Sequence, residues 1–188
     1  MKTFILFSLL FLAFQGANAG NAHHVAIVET NVESANLVFF DDKAAEFALK
    51  DQYDKTFALN FPKDKATVLV FGDREGSSQI EGWVRPLVEK YADKIDVLGV
   101  AELSAVPTVA RGVVRRIMKN QVKYPVMLDW SGAISKSYGY QKGKANLFVI
   151  DKRGSIVAEV AGAASEAELE KIYREINRSF LNELKAVC

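Results

Sequence analysis

The chain holds one thiol and two imidazoles among its 188 residues: Cys188 at the last position, and His23 with His24 near the first. Thiol exchange needs a thiolate, and peroxide reduction needs a cysteine of lowered pKa beside a cation or a helix N-terminus. A single cysteine forms no intramolecular disulfide, so Cys188 is read either as an interchain bridge, giving a disulfide-linked dimer, or as a terminal thiol without a role. Ser77 and Ser78 would need a histidine held by a third group to act as nucleophiles. The only histidines stand in another segment, so the two serines read as helix capping and loop polarity. A metal held by His23 and His24 needs a further histidine from elsewhere in the fold, and the sequence has none. No Cys/His cluster, glycine-rich phosphate loop or paired-carboxylate motif stands out; neither a metal nor a cofactor is expected. The remaining candidate is the loop Asp73-Arg74-Glu75-Gly76-Ser77-Ser78 with Glu81 beyond it. It carries both charge signs and leads into a helix N-terminus, whose free N–H groups suit an anion or a peptide carboxylate.

Around these residues the composition is that of a folded domain, with 49% hydrophobic and 25% charged residues. Met1-Lys2-Thr3, an apolar run to Phe14 and the Ala-x-Ala pattern at Ala17 and Ala19 read as a signal peptide over residues 1–19; the run is shorter than the ~20 residues that span a bilayer. The expected location is therefore periplasmic or secreted, with no membrane span once the leader is cleaved. Without residues 1–19 the chain has 23 Lys and Arg against 23 Asp and Glu. It has no basic stripe for nucleic acid. Arg111, Arg115, Arg116 and Lys119 form a basic helix face, read as solvated rather than as a site for an anionic partner. Asn177-Arg178-Ser179 fits a glycosylation sequon, but within a predicted helix.

Hydrophobic period gives the elements that must position the loop. Residues 20–43, with Val25-Ala26-Ile27-Val28 and Leu37-Val38-Phe39-Phe40, suggest a tail packed on the domain. Residues 46–50 and 55–59 alternate around a polar turn as a hairpin. Residues 66–71 are a strand buried on both faces. The helix after it carries Ile80, Trp83, Val84, Leu87, Val88 and Tyr91 on one stripe, with Ser78 and Glu81 as its capping box and a kink at Pro86. A strand over 95–101 leads to a helix around Val109, Val113 and Ile117. A strand at 126–129, a short helix at 133–138 and a β-hairpin over 147–150 and 155–160 follow. The last helix has Ser165 and Glu168 as a capping box and Leu169, Ile172, Tyr173, Ile176, Phe180 and Leu184 as its stripe.

This order of elements resembles the thioredoxin superfamily, in particular its redoxin branch of peroxiredoxins and thiol-disulfide oxidoreductases. Phe47-Ala48-Leu49-Lys50-Asp51, the Pro86 helix, Leu128-Asp129 through Tyr138-Gly139, and Phe148-Val149-Ile150-Asp151 with Gly154 carry the likeness. The resemblance implies an α/β fold with a central mixed β-sheet flanked by helices and an N-terminal β-hairpin, spanning residues 44–188. It also implies where redox cysteines would stand, near Ser77 or Ser78 and near Glu81, and puts Ala145 in place of the family's cis-proline. Ala145 and Asn146 would then face the loop at 73–78.

The expected function is accordingly a non-catalytic binding or scaffold module for a peptide or protein. Its surface is the former redox site: Asp73, Arg74, Ser77, Ser78, Glu81, Ala145 and Asn146. The alternative is an oxidoreductase acting through Cys188; a hydrolase has no specific support.

Overall fold

A computed structural model describes residues 43–186 of the chain. The expected leader, most of the tail with His23 and His24, and Cys188 lie outside the described residues. β1 (Phe47–Lys50) and β2 (Thr56–Leu59) form the expected hairpin. β3 (Ala66–Gly72) is buried at every residue and leads into α1 (Ser77–Tyr91) and β4 (Ile95–Glu102). α2 (Arg111–Gln121), β5 (Val126–Asp129) and α3 (Ala133–Ser137) follow. The chain closes with β6 (Asn146–Ile150), β7 (Ile156–Ala161) and α4 (Glu166–Ala186).

The main sheet has the order β5-β4-β3-β6-β7. β3 pairs parallel with β4 and antiparallel with β6, so the sheet is mixed and β3 sits in its middle. Because side chains alternate along a strand, its two faces collect different partners. Val68 and Val70 join Trp83 and Leu87 of α1 and Ile172 and Ile176 of α4. Leu69 and Phe71 join Phe47, Leu59, Tyr138 and Phe148 on the other face. Ala101, Val126 and Leu128 pack under Met118 of α2. Trp83 is fully buried and its indole N–H donates to the Gly162 carbonyl at 2.8 Å, which ties α1 to the end of β7.

Three local expectations are corrected. α1 has no Ser78–Glu81 capping box: its N-cap is Gly76, Ser78 lies inside the helix, and Glu81 pairs with Arg85 instead. The hydrophobic phase of α2 is shifted. A 3-10 turn over Thr108–Ala110 precedes it, Val109 and Val113 are 94% and 60% exposed, and Met118 with Val114 packs inward. The basic face of α2 is not simply solvated. Arg115 pairs with Asp54 at 2.6 Å, Arg111 and Arg115 lie over the Trp130 ring, and Lys119 lies over Tyr53. α1 runs on through Pro86 without interruption. At α4 the expected box does form, with the Ser165 hydroxyl bonded to both the Glu168 carboxylate and the Glu168 N–H. Asn177 of the sequon accepts from the Tyr91 hydroxyl at 3.1 Å.

Trp83→Ala is expected to lower the unfolding free energy by about 3–5 kcal/mol in urea denaturation. Val113→Ala should stay within about 0.5 kcal/mol, since its side chain points to solvent.

Candidate functional site

The site is assembled where β3 ends and α1 begins, at the carboxyl edge of the sheet where α/β folds place ligands. β3 runs out at Gly72, and Asp73 follows, half-buried. One Asp73 carboxylate oxygen accepts from the N–H groups of Glu75 at 3.0 Å and Gly76 at 2.8 Å; the other accepts from the Gly143 N–H at 2.8 Å. The Tyr140 hydroxyl bonds the same carboxylate and also accepts from the Asp73 N–H at 2.9 Å. Burial alone would raise the Asp73 pKa. The donors from Gly76, Gly143, Tyr140 and Glu75 outweigh it and hold the carboxyl below its ordinary value. Burial, and next to it the charge of Asp73, push the Tyr140 hydroxyl well above the usual tyrosine range.

A second set of contacts closes the turn against the loop before β6. Gln79 accepts from the Ala145 N–H at 3.1 Å and donates to the Gly143 carbonyl at 3.3 Å. Gly76 touches that loop directly: a Cβ there would lie 2.3 Å from the Lys144 carbonyl carbon and oxygen. The gap between the helix start and this loop is therefore filled by backbone meeting backbone.

The structure brings together Asp73, Gly76, Gln79, Tyr140, Gly143 and Ala145. The expectation that the loop offers free N–H groups to an anion is overturned at Glu75 and Gly76, because Asp73 already supplies the negative charge there. Ser77 and Ser78 donate to the carbonyls of Arg74 and Glu75, at 2.8 and 3.2 Å. Among the described residues no histidine stands near them. Ala145 does not face the turn with its side chain, which is fully buried in the core under α1; only its backbone meets Gln79. Asn146 is also buried, and its amide is spent on the loop, donating to the carbonyls of Gln141 and Lys144 and accepting from the Gln141 N–H. Arg74, Glu75 and Ser78 remain exposed on the outer side of the turn. Gln79, Tyr140 and Gly143 were not anticipated. The stretch Gly139-Tyr140-Gln141-Lys142-Gly143 reads only as a turn until the fold lays it against Asp73. No group of three or more metal-ligating side chains occurs among the described residues.

A five-stranded mixed sheet with the hairpin on one face and α1, α2 and α4 on the other, carrying its site at the β3–α1 turn, defines a protein of the thioredoxin fold. Within it the chain belongs to the AhpC/TSA family, which it matches over residues 40–159. It is 26% identical over 156 residues to the thiol-disulfide oxidoreductase ResA of Bacillus thuringiensis subsp. konkukian, covering 79% of each chain. Among solved structures it resembles a putative thiol:disulfide interchange protein DsbE from Chlorobium tepidum. The TM-score there is 0.55 at 23% identity, over 74% of this chain and 96% of that one. It also resembles the peroxidoxin BcpB of Mycobacterium tuberculosis, with a TM-score of 0.54 at 20% identity, over 74% and 97%. The redoxin resemblance and the fold it implied are thus met, in a chain with a single cysteine.

Asp73→Asn is expected to destabilise the domain by about 1–3 kcal/mol, because it confronts N–H donors with an amide. A carboxyl held below its unfolded value stabilises the fold above about pH 4 and loses that contribution as pH falls. The difference between the parent and Asp73→Asn should therefore be full at neutral pH and shrink in acid, as read by urea midpoints between pH 7 and 3. Gly76→Ala should cost at least about 1–3 kcal/mol through overpacking against the Lys144 backbone, seen as a lowered thermal midpoint.

Proposed function

We propose that this protein is an exported, non-catalytic redoxin that binds a peptide or protein. The observation that carries the reading is the β3–α1 turn. Where the redoxin resemblance puts redox cysteines the chain has Ser77, Ser78 and Glu81, each bonded within α1 or its turn. Asp73 occupies the N–H groups of Glu75 and Gly76 that would otherwise receive a reacting anion. With no cysteine in the turn and those two N–H groups taken, it lacks the thiolate nucleophile that thiol or peroxide chemistry needs. Export is supported by the leader-like pattern of residues 1–19. Among the described residues no helix is long and apolar enough to cross a membrane. The binding surface we assign is the outer side of the turn, where Arg74, Ser78 and Glu81 stand around the locked Asp73.

The test is insulin-disulfide and peroxide reduction by the chain lacking residues 1–19, beside its Cys188→Ala variant. No turnover is expected from either; activity that disappears only in Cys188→Ala overturns the reading in favour of an oxidoreductase. The surface is tested on a peptide array, where the parent is expected to retain a defined set of sequences and Arg74→Glu with Ser78→Trp, shown by circular dichroism to remain folded, to lose them.

A further inference from the structure

β4 is the second strand of the sheet, yet only part of it is paired on its outer side. β5 pairs with it from Gly99 to Glu102, while β3 pairs with it from Ile95 onward. Residues 95–98 therefore present a strand edge with no ladder partner there among the described residues, and 96–99 are half-exposed. The reason lies just before β5. Pro125 has no N–H with which to continue a ladder. Gln52, fully buried in the β1–β2 turn, holds the Tyr124 carbonyl and the Val126 N–H at 2.8 Å each, tying this segment to the hairpin.

Beside the open edge lies a cavity of about 340 Å³. Ile80, Val84 and Val88 of α1 form one wall, Val97 and Gly99 form the floor, and Arg85 and Lys123 stand at its charged margin with Glu81. Gly99 lines it without a side chain. A Cβ at that position would meet only Val126, at ordinary contact distances of 3.7 and 3.8 Å, so neither packing nor backbone conformation demands glycine there. A glycine inside a strand often marks the close approach of a ligand or another backbone. Main-chain edge groups next to an aliphatic slot suit one kind of occupant, an extended polypeptide with apolar side chains.

The chain itself carries such a segment. Val25-Ala26-Ile27-Val28 is an apolar run of four, three of them β-branched, the length of the open edge. Residues 20–42 contain Glu29, Glu33, Asp41 and Asp42 and no Lys or Arg, whereas residues 43–188 contain 23 Lys and Arg against 19 Asp and Glu, so the two parts are of opposite charge. Reach is sufficient. Lys43 is held against Ser155 at the end of the sheet where Ile95 also begins β4. Ser155 lies on the line of β7, three strand spacings from β4, roughly 15 Å, and the 15 residues back to Val28 extend to about 50 Å.

We infer that residues 25–28 add to β4 as a short strand along residues 95–98, with Ile27 or a neighbouring side chain seated in the slot above Gly99. The attachment in the same chain gives the segment a high effective concentration over any free peptide. The inference does not depend on the proposed binding function.

The experiment uses the chain lacking residues 1–19 with Cys188→Ser, carrying Ile27→Cys together with Lys123→Cys at the slot margin. A control pairs Ile27→Cys with Lys136→Cys on the exposed side of α3. Under mild oxidation an intramolecular disulfide is expected in most chains of the first variant and few of the second. Hydrogen exchange of the peptide holding residues 95–98 should be slow in the parent and lose protection in Ile27→Asp. Equal cross-linking in both variants, or exchange unchanged by Ile27→Asp, overturns the inference. A disulfide between two chains overturns it in favour of a second copy at the edge.

Discussion

β3 carries the constraint on which the remaining elements depend. A strand buried on both faces and paired on both edges has no solvent side, so every neighbour has to supply an apolar surface in register with it. α1 and α4 meet that demand on one face through Trp83, Leu87, Ile172 and Ile176, and the hairpin and α3 meet it on the other through Phe47, Leu59 and Tyr138. Most of the driving force is burial of this kind, at roughly 25 cal/mol per Å² of apolar surface. The polar bonds decide how the layers are placed; the Trp83 indole on the Gly162 carbonyl is one such fixture.

The same strand delivers the chain to the candidate site, and there the chemistry turns from burial to charge. A carboxylate at Asp73 takes the place a bound anion would have at the mouth of a helix, bonded to N–H groups from two separate segments. It fixes the loop before β6 against the start of α1, an arrangement Gly76 makes sterically possible and Gln79 extends. Its bonds to the Glu75 and Gly76 N–H groups organise the turn that leads into α1. The fold of a redoxin is thus retained, with the β3–α1 corner tied to the loop before β6 through Asp73.

How much of this was legible from the residues follows the range of the interactions involved. The strands at 66–71, 95–101 and 126–129 and the hairpin at 147–160 are set by short, mostly apolar runs and a Gly154 turn, so their order could be read directly. The C-terminal helix announced itself through Ser165, Glu168 and its stripe. The phase of α2 was misread because Val109, Val113 and Ile117 keep helical spacing although the helix starts only at Arg111. The start of α1 was misread because Ser78 and Glu81 satisfy a local capping pattern that Asp73, a stronger acceptor placed just upstream, pre-empts.

The sequence by itself determined an α/β layer order, a hydrophobic strand in the middle of it and a chain with one thiol at its last position, because periodicity and composition are local quantities. Only the tertiary structure decided that Asp73 meets Gly143 and Tyr140 some seventy residues away, that Arg111, Arg115 and Lys119 turn onto Trp130, Asp54 and Tyr53, and that among the described residues β5 pairs with β4 only from Gly99 onward. The physical reason is the same in each case: these contacts join segments distant in sequence, and a partner brought in by chain topology leaves no periodic trace in either segment.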